Sequence, residues 1–232
     1  MSTGMSTGMS TPLNRKNASC PDAPPVRLVH LGLGAFHRAH QVWYTQKADP
    51  TWGYASFTGR SARMSDALTP QDGLYTLVTR SGEGDSPELI SSLVEAQPAA
   101  NVERLVELMA DPQVAVVTLT ITEAGYHLAA DGCLDEAHED VASDLEALAG
   151  DSLELKTAAG KLVKGLAARK AAEAGGIAIM SCDNIADNGA LTSGAVLGLT
   201  AKVSPELAAW VKDNVTFPST SIDRITPATE DS

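Results

Sequence analysis

The chain has 232 residues, enough to bury a sizeable core in one large domain or two small ones. Hydrophobic residues at 44% and charged residues at 20% match a soluble globular protein, and a formal net charge of -12 excludes gripping nucleic-acid phosphates with a broadly basic surface. Cys20, Cys133 and Cys182 are odd in number and far apart, with no Cys-x-x-Cys, so neither a disulfide framework nor a zinc site is expected. No apolar run approaches the roughly 18 residues of a membrane span, and the N-terminus lacks the apolar stretch of a signal peptide. A cytoplasmic location follows as the expectation.

The first residues read Met-Ser-Thr-Gly twice and then Met9-Ser-Thr-Pro, which makes Met1, Met5 and Met9 each a candidate start. Small polar residues continue to Pro24-Pro25, with too little apolar surface to offset the entropy of ordering them. Residues 1–25 are expected to be a disordered tail, and residues 26–232 a single folded domain. Residues 26–31 are mostly apolar and read as a strand. Gly32 and Gly34 then make a tight turn, and a helix-compatible segment begins near Ala35. Strand, glycine turn and helix form the start of a βαβ unit, in which the first helical N–H groups and the helix dipole face a pyrophosphate. A Gly-x-Gly-x-x-Gly fingerprint would place its third glycine where this chain has His37. Two glycines alone leave a plain strand-to-helix turn open as the alternative.

Residues 36–48 continue as a helix stopped at Asp49-Pro50, and residues 52–58 read as a second strand stopped by Gly59. A NAD-binding domain places an acid about 20 residues beyond the glycines to hold the ribose hydroxyls. This chain has Gly59-Arg60-Ser61-Ala62-Arg63 instead. Arg60 and Arg63 are either solvated loop charges or acceptors of a 2′-phosphate, so NAD is expected with NADP left open. Residues 74–79 and 88–94 alternate β-formers around a Gly-, Ser- and Asp-rich turn and predict a hairpin or peripheral strand pair. Residues 101–110 have helical spacing with Asn101 as N-cap. Residues 114–121 form a nearly unbroken β-branched run, as in a strand buried on both faces of a parallel sheet.

That strand ends at Glu123, where ligands bind in open α/β sheets; Glu123 is a site candidate, with a helix-capping or surface role as the alternative. The acidic stretch of residues 131–151, with His138, fits a solvated face better than a metal site, because its spacing matches no ligand pattern. No metal is expected. Residues 155–174 predict a helix closed by Gly175-Gly176, and residues 177–181 a short buried strand. The recurrence of strand, helix and strand predicts an α/β fold with a Rossmann-like, doubly wound, mostly parallel sheet and a peripheral β-hairpin. Asp183 and Asn184 follow that strand and precede a helix over residues 190–200. Asn184 suits donation to an alkoxide or carbonyl oxygen, while an Asx-turn and helix cap is the plainer role for the pair. After a helix through Trp210, residues 215–227 are extended and carry Asp223 beside Arg224.

The chain resembles a family in six ordered motifs. These are Gly32-x-Gly34-x-Phe36-His37-Arg38-Ala39-His40, Gln71-Asp-Gly-Leu-Tyr75, Leu119-Thr-Ile-Thr-Glu-x-Gly-Tyr126, Ser181-Cys-Asp-Asn184, Asn188-Gly189, and Phe217-Pro with Asp223-Arg-Ile-Thr-Pro227. Their order is similar to that of the polyol-specific long-chain dehydrogenases, which include mannitol 2-dehydrogenase, fructuronate and tagaturonate reductases and mannitol-1-phosphate 5-dehydrogenase. The resemblance covers about residues 26–230 and treats His37 in place of the third glycine as a family habit. It implies a zinc-independent oxidoreductase that moves a hydride between a sugar alcohol, keto-sugar or hexuronate and a nicotinamide. Gly32, Gly34, Phe36 and Arg38 would surround the pyrophosphate, with Arg60 beyond them. Asn184 would hydrogen-bond the reacting oxygen, and Asp223 would lie near substrate or nicotinamide. His37 and His40 would not be metal ligands.

Members of that family run to roughly twice this length, and their base is a lysine in a helical C-terminal domain, followed by Asn five positions on and His three after that. Here Lys202 is followed five positions on by Leu207 and Lys212 by Phe217, so neither begins the pattern. The expectation is a cofactor domain whose helical C-terminal partner is absent and which turns over little alone, since losing a general base costs about 10² to 10⁴ in rate. A non-catalytic nucleotide-binding module is the other class that fits. A short-chain dehydrogenase fits less well: Tyr126 is followed four positions on by Ala130, and no Tyr-x-x-x-Lys exists. Expected partners are the small polyol or keto-sugar and the missing domain, with no nucleic acid or membrane.

Overall fold

The computed structural model describes residues 13–129 and 132–226. Its first part runs β1 (Val26–Leu31), α1 (Ala35–Ala39), α2 (Gln41–Ala48), β2 (Gly53–Phe57), α3 (Arg63–Leu68), β3 (Tyr75–Ser81), β4 (Gly84–Ile90), β5 (Leu93–Gln97) and α4 (Val102–Ala110). The second part runs β6 (Val116–Leu119), α5 (Glu139–Ala149), α6 (Ala158–Ala171), β7 (Ile177–Ser181), α7 (Asn188–Val203), α8 (Pro205–Asn214) and β8 (Val215–Thr216). Six strands form one sheet in the order β5-β2-β1-β6-β7-β8, every neighbouring pair parallel, and β3 pairs antiparallel with β4 outside it. The strand order reverses at β1, which leaves a crevice between the carboxyl ends of β1 and β6. The doubly wound sheet with a peripheral hairpin is thus the observed fold.

Alternation along β1 sets the two faces. Val29 and Leu31 join Leu105, Leu162, Val196 and Val211 from four helices in the larger core, while Leu28 packs with Val42, Leu68 and Ile90 in the smaller one. His30 shares the second face and is fully buried. On α4, Val102, Leu105, Leu108 and Met109 are buried at helical spacing, and the Asn101 side chain accepts from the Arg104 N–H.

Several expectations shift. Residues 1–12 of the expected tail, and Pro227, lie outside the described residues. Within residues 13–25 the Arg15 guanidinium donates to the carbonyls of Ser91 at 2.6 Å and Leu93 at 3.2 Å, and its backbone N–H donates to Asp72. The expected helix 36–48 breaks at His40 (φ -121°, ψ -78°) into α1 and α2. Residues 88–94 divide between the hairpin strand β4 and the sheet strand β5. The expected helix 155–174 begins at Ala158, capped by the Thr157 hydroxyl, which accepts from the Gly160 N–H at 2.9 Å.

At the end of the sheet away from the crevice, the Arg169 side chain is 1% exposed. Its guanidinium donates at 2.8 to 3.0 Å to the carbonyls of Met109, Asp111, Ala174, Gly175 and Gly176. It closes the C-terminal ends of α4 and α6 onto the segments that lead into β6 and β7. Cationic donors satisfy the orphan carbonyls of helix ends in this way.

Candidate functional site

The turn after β1 is built so that only glycine fits its first position. Gly32 has φ +109°, and a Cβ there would lie 2.0 Å from the Thr120 carbonyl oxygen of the β6 end. The Gly32 and Leu33 N–H groups both donate to the Phe57 carbonyl, at 2.9 and 2.8 Å, and the Thr120 hydroxyl donates to the Gly32 carbonyl at 2.9 Å. The turn is therefore clamped between the ends of β2 and β6. A Cβ at Gly34 would meet only the Gly32 carbonyl oxygen, at 3.5 Å, so the backbone there is open to a ligand.

Beneath the turn lies a polar row that apolar strands would not supply. The register places His30 opposite Ser56 on one side and Thr118 on the other. His30 hydrogen-bonds the Thr118 hydroxyl at 2.8 Å and the Thr120 hydroxyl at 3.0 Å. The His37 ring lies flat on His30, with centroids 3.4 Å apart and 1° between planes, and its Nε2 is 2.9 Å from the Ser56 hydroxyl. Burial pushes the His30 imidazole down to about 3. Burial pushes His37 well below its ordinary value, and His30 adds to the effect. Two neutral rings thus fill the space that a third glycine leaves between α1 and the sheet in the usual fingerprint.

Above the turn is a cleft of about 860 Å³. Gly32 and Gly34 floor it; Thr58, Gly59, Arg60 and Ala62 extend it past β2, and Pro98 to Ala100 continue it past β5. Thr120 to Thr122 with Ala124 and Gly125 form the lip beyond β6. The far wall is the 155–161 segment, where Lys156 and Lys161 line the cleft opposite Arg60. Asp144 shapes that wall: it is fully buried and accepts from the Lys156 N–H, the Thr157 N–H and the Thr157 hydroxyl at 2.6 to 2.9 Å. Burial holds the Lys161 ammonium below its ordinary value, with Asp144 opposing.

The lip carries backbone strain. Thr122 has φ 66° and ψ 163°, a region that side-chain-bearing residues rarely adopt. Asp183 holds it there, accepting from the Thr122 N–H at 2.9 Å, the Ile121 N–H at 3.1 Å and the Tyr126 hydroxyl at 2.7 Å. Of the polar pair after β7, Asp183 is a brace inside the protein, whereas Asn184 is exposed and makes no hydrogen bond within the described residues. Asn188 is buried and ties this loop to the C-terminal segment, donating to the carbonyls of Asp183 and Thr220. That segment returns over α1 and α2: Thr226 bonds His40 at 3.1 Å, and Arg224 lies 6.0 Å above the Tyr44 ring.

Sequence comparison decides the family. The model of the mannitol dehydrogenase Rossmann domain matches residues 26–232. The chain belongs to that family. It is 40% identical over 212 residues to the D-mannonate oxidoreductase of Escherichia coli strain K12, covering 87% of this chain and 43% of that protein. It is 38% identical to the mannitol 2-dehydrogenase of Cereibacter sphaeroides with the same coverage. The Pseudomonas fluorescens mannitol 2-dehydrogenase, solved as a ternary complex with NAD and D-mannitol, superposes with a TM-score of 0.82 at 31% identity, over 95% of this chain and 48% of that one. The chain spans about half the length of the relatives it matches.

Within this mannitol dehydrogenase Rossmann domain, Gly32, Gly34 and Arg60 converge on the cleft, and Phe36, Arg38, Glu123, Asn184 and Asp223 are not in its lining. Phe36 packs on the His40 ring at 4.4 Å. The Arg38 carbonyl accepts from the Tyr75 hydroxyl, and one of its guanidinium nitrogens is buried without a partner among the described residues. Glu123 is exposed. Asp223 is exposed beside Arg224, and the two act on the His40 ring in opposite senses. Among the described residues no group of three or more His, Cys, Asp or Glu is placed to hold a metal ion, and no helix is long and apolar enough to cross a membrane.

Proposed function

We propose that this domain binds a nicotinamide dinucleotide along the cleft and forms the cofactor half of a zinc-independent dehydrogenase for a sugar alcohol and its keto-sugar or hexuronate counterpart. One observation carries the reading: the cleft opens where the strand order reverses, and its floor is a glycine turn with no side chain to hold phosphates away. The relative solved with NAD and D-mannitol supports it. The residues present fit such a group. Gly32 and Gly34 leave the backbone bare for a pyrophosphate, the 58–62 and 98–100 segments receive the adenosine end, and the strained Thr122 lip borders the opposite end. When bound, the dinucleotide supplies the hydride donor or acceptor.

The remaining roles belong to this chain's own groups and to groups outside it. Asn184, exposed just past the β7 end, donates to the reacting oxygen, and Asp223 lies toward the substrate. The proton of the substrate hydroxyl needs a base, and no lysine in the sequence has Asn five and His eight positions on. That base belongs to a segment outside this sequence, and the setting is the cytoplasm.

Titrating the purified chain with NADH and NADPH should give saturable changes in nicotinamide fluorescence. The same chain should oxidise D-mannitol or D-mannonate at least about 10²-fold below the 1 to 10³ s⁻¹ of typical enzymes. Failure to bind either dinucleotide would sink the cofactor reading, and ordinary turnover would sink the external base.

A further inference from the structure

We infer that Lys161, in the far wall of the cleft, is a site of acylation by small acyl phosphates that dock beside it on Lys156, and that the acyl group weakens the cleft's hold on phosphate-bearing ligands; the second clause rests on the dinucleotide reading above. Lys47, Lys164, Lys170 and Lys202 each pair with a carboxylate. Lys16, Lys156, Lys161 and Lys212 join no ion pair among the described residues, and of these Lys156 and Lys161 line the cleft. Lys156 is exposed, whereas Lys161 is half-buried.

The surroundings of Lys161 favour its uncharged, nucleophilic form. Burial and the nearby Lys156 oppose the ammonium, and Asp144 favours it. That carboxylate, however, is committed to the N–H groups of Lys156 and Thr157 and to the Thr157 hydroxyl. Lys161 also stands on the first turn of α6, where the positive end of the helix dipole works against a cation. More of its amine is therefore ready to attack than at an exposed lysine. The same cleft suits a phosphate, since Arg60 and Lys156 join Lys161 in a lining whose one carboxylate is Asp140. With the phosphate held by Lys156, the Lys161 Nζ attacks the acyl carbon. The amide C–N bond forms, the acyl C–O bond to phosphate breaks, and inorganic phosphate leaves with the amine proton. The product exchanges an ammonium for a neutral amide and adds bulk to the wall.

The test is incubation of the full chain with acetyl phosphate, followed by site-resolved mass spectrometry and fluorescence titration with NADH. Lys161 should be acetylated at least about fivefold faster than the exposed Lys16 and Lys212, and inorganic phosphate should slow Lys161 alone. Lys156→Ala, a change at an exposed position, should bring Lys161 down toward the rate of those two. The acetylated chain should bind NADH at least about tenfold more weakly than the untreated chain, whereas treatment should leave the affinity of Lys161→Arg where it was. Acetylation of Lys161 no faster than of Lys16 and Lys212, or undiminished by inorganic phosphate, overturns the site. NADH affinity unchanged by acetylation overturns its effect on the cleft. A chain that binds no NADH before treatment overturns the dinucleotide reading, and the acetylation rates still decide the site.

Discussion

The two ends of the crevice are built differently. At the Arg60 end, four segments of this chain close around the cleft, and buried groups such as Asp144 and the stacked His30 and His37 hold its walls and floor. At the β7 end, Asn184 and Asp223 stand exposed, and what is rigid there is the brace behind them, Asp183 and Asn188. One end is an enclosed cleft; the other sets exposed polar side chains on a firm mount without a wall. In the proposed function, cofactor binding and chemistry fall to these two different ends, and the chain spans about half the length of the relatives it matches.

The largest effect should come from closing the cleft. Gly32→Ala puts a methyl 2.0 Å from the Thr120 carbonyl oxygen at φ +109°. It should cost more than about 3 kcal/mol in urea unfolding and abolish dinucleotide binding. Stability within about 1 kcal/mol of the unmodified chain would show that the turn has slack.

Acid should come next, acting on the floor. Folded His30 is pushed down to about 3, whereas the unfolded chain takes up that proton near 6.5. Below 6.5 the unfolded state holds the extra proton, so stability falls with pH by about 1.4 kcal/mol per unit for this ring until the folded ring also titrates. His37 is shifted in the same direction and adds to the loss. Urea midpoints at pH 7.5 and 5.5 check this; coincident midpoints would mean that the pair is not held neutral.

The smallest effect sharpens the contrast from the open end. Asn184→Ala should move stability by less than about 0.5 kcal/mol and leave dinucleotide affinity unchanged, because the side chain is exposed and outside the cleft lining. A large fall in the thermal midpoint would show that Asn184 belongs with Asp183 in the brace.

What was legible in the sequence follows the same division. The sheet strands β1, β2, β6 and β7, the glycine turn and the Asn101 cap are local patterns, and each formed where expected within a few residues, whereas β5 overlapped the expected hairpin and β8 lay in a segment read only as extended. The place of Arg60 in the cleft lining follows from counting past the end of β2. The far wall was not legible: residues 155–157 look like the start of a helix until Asp144, twelve residues earlier, takes their N–H groups. Asp183 and Asn184 look alike in a line of text, and only their neighbours make one a brace and the other a free amide. Arg38 follows the glycines closely in sequence, while its guanidinium lies outside the cleft lining with one nitrogen buried. One signal for the floor was available: His30, Ser56 and Thr118 interrupt apolar strands at positions that share a face.

Arg169 bears on how such a domain can diversify. Its five carbonyl bonds knit two helix ends to the entries of β6 and β7, at the end of the sheet away from the crevice. With that base fastened, loops on the other side can be exchanged over evolutionary time without dismantling the scaffold. Lysine, lacking the planar fork of donors, would be a poor substitute there, so inheritance should guard this one cation more closely than many residues near the substrate.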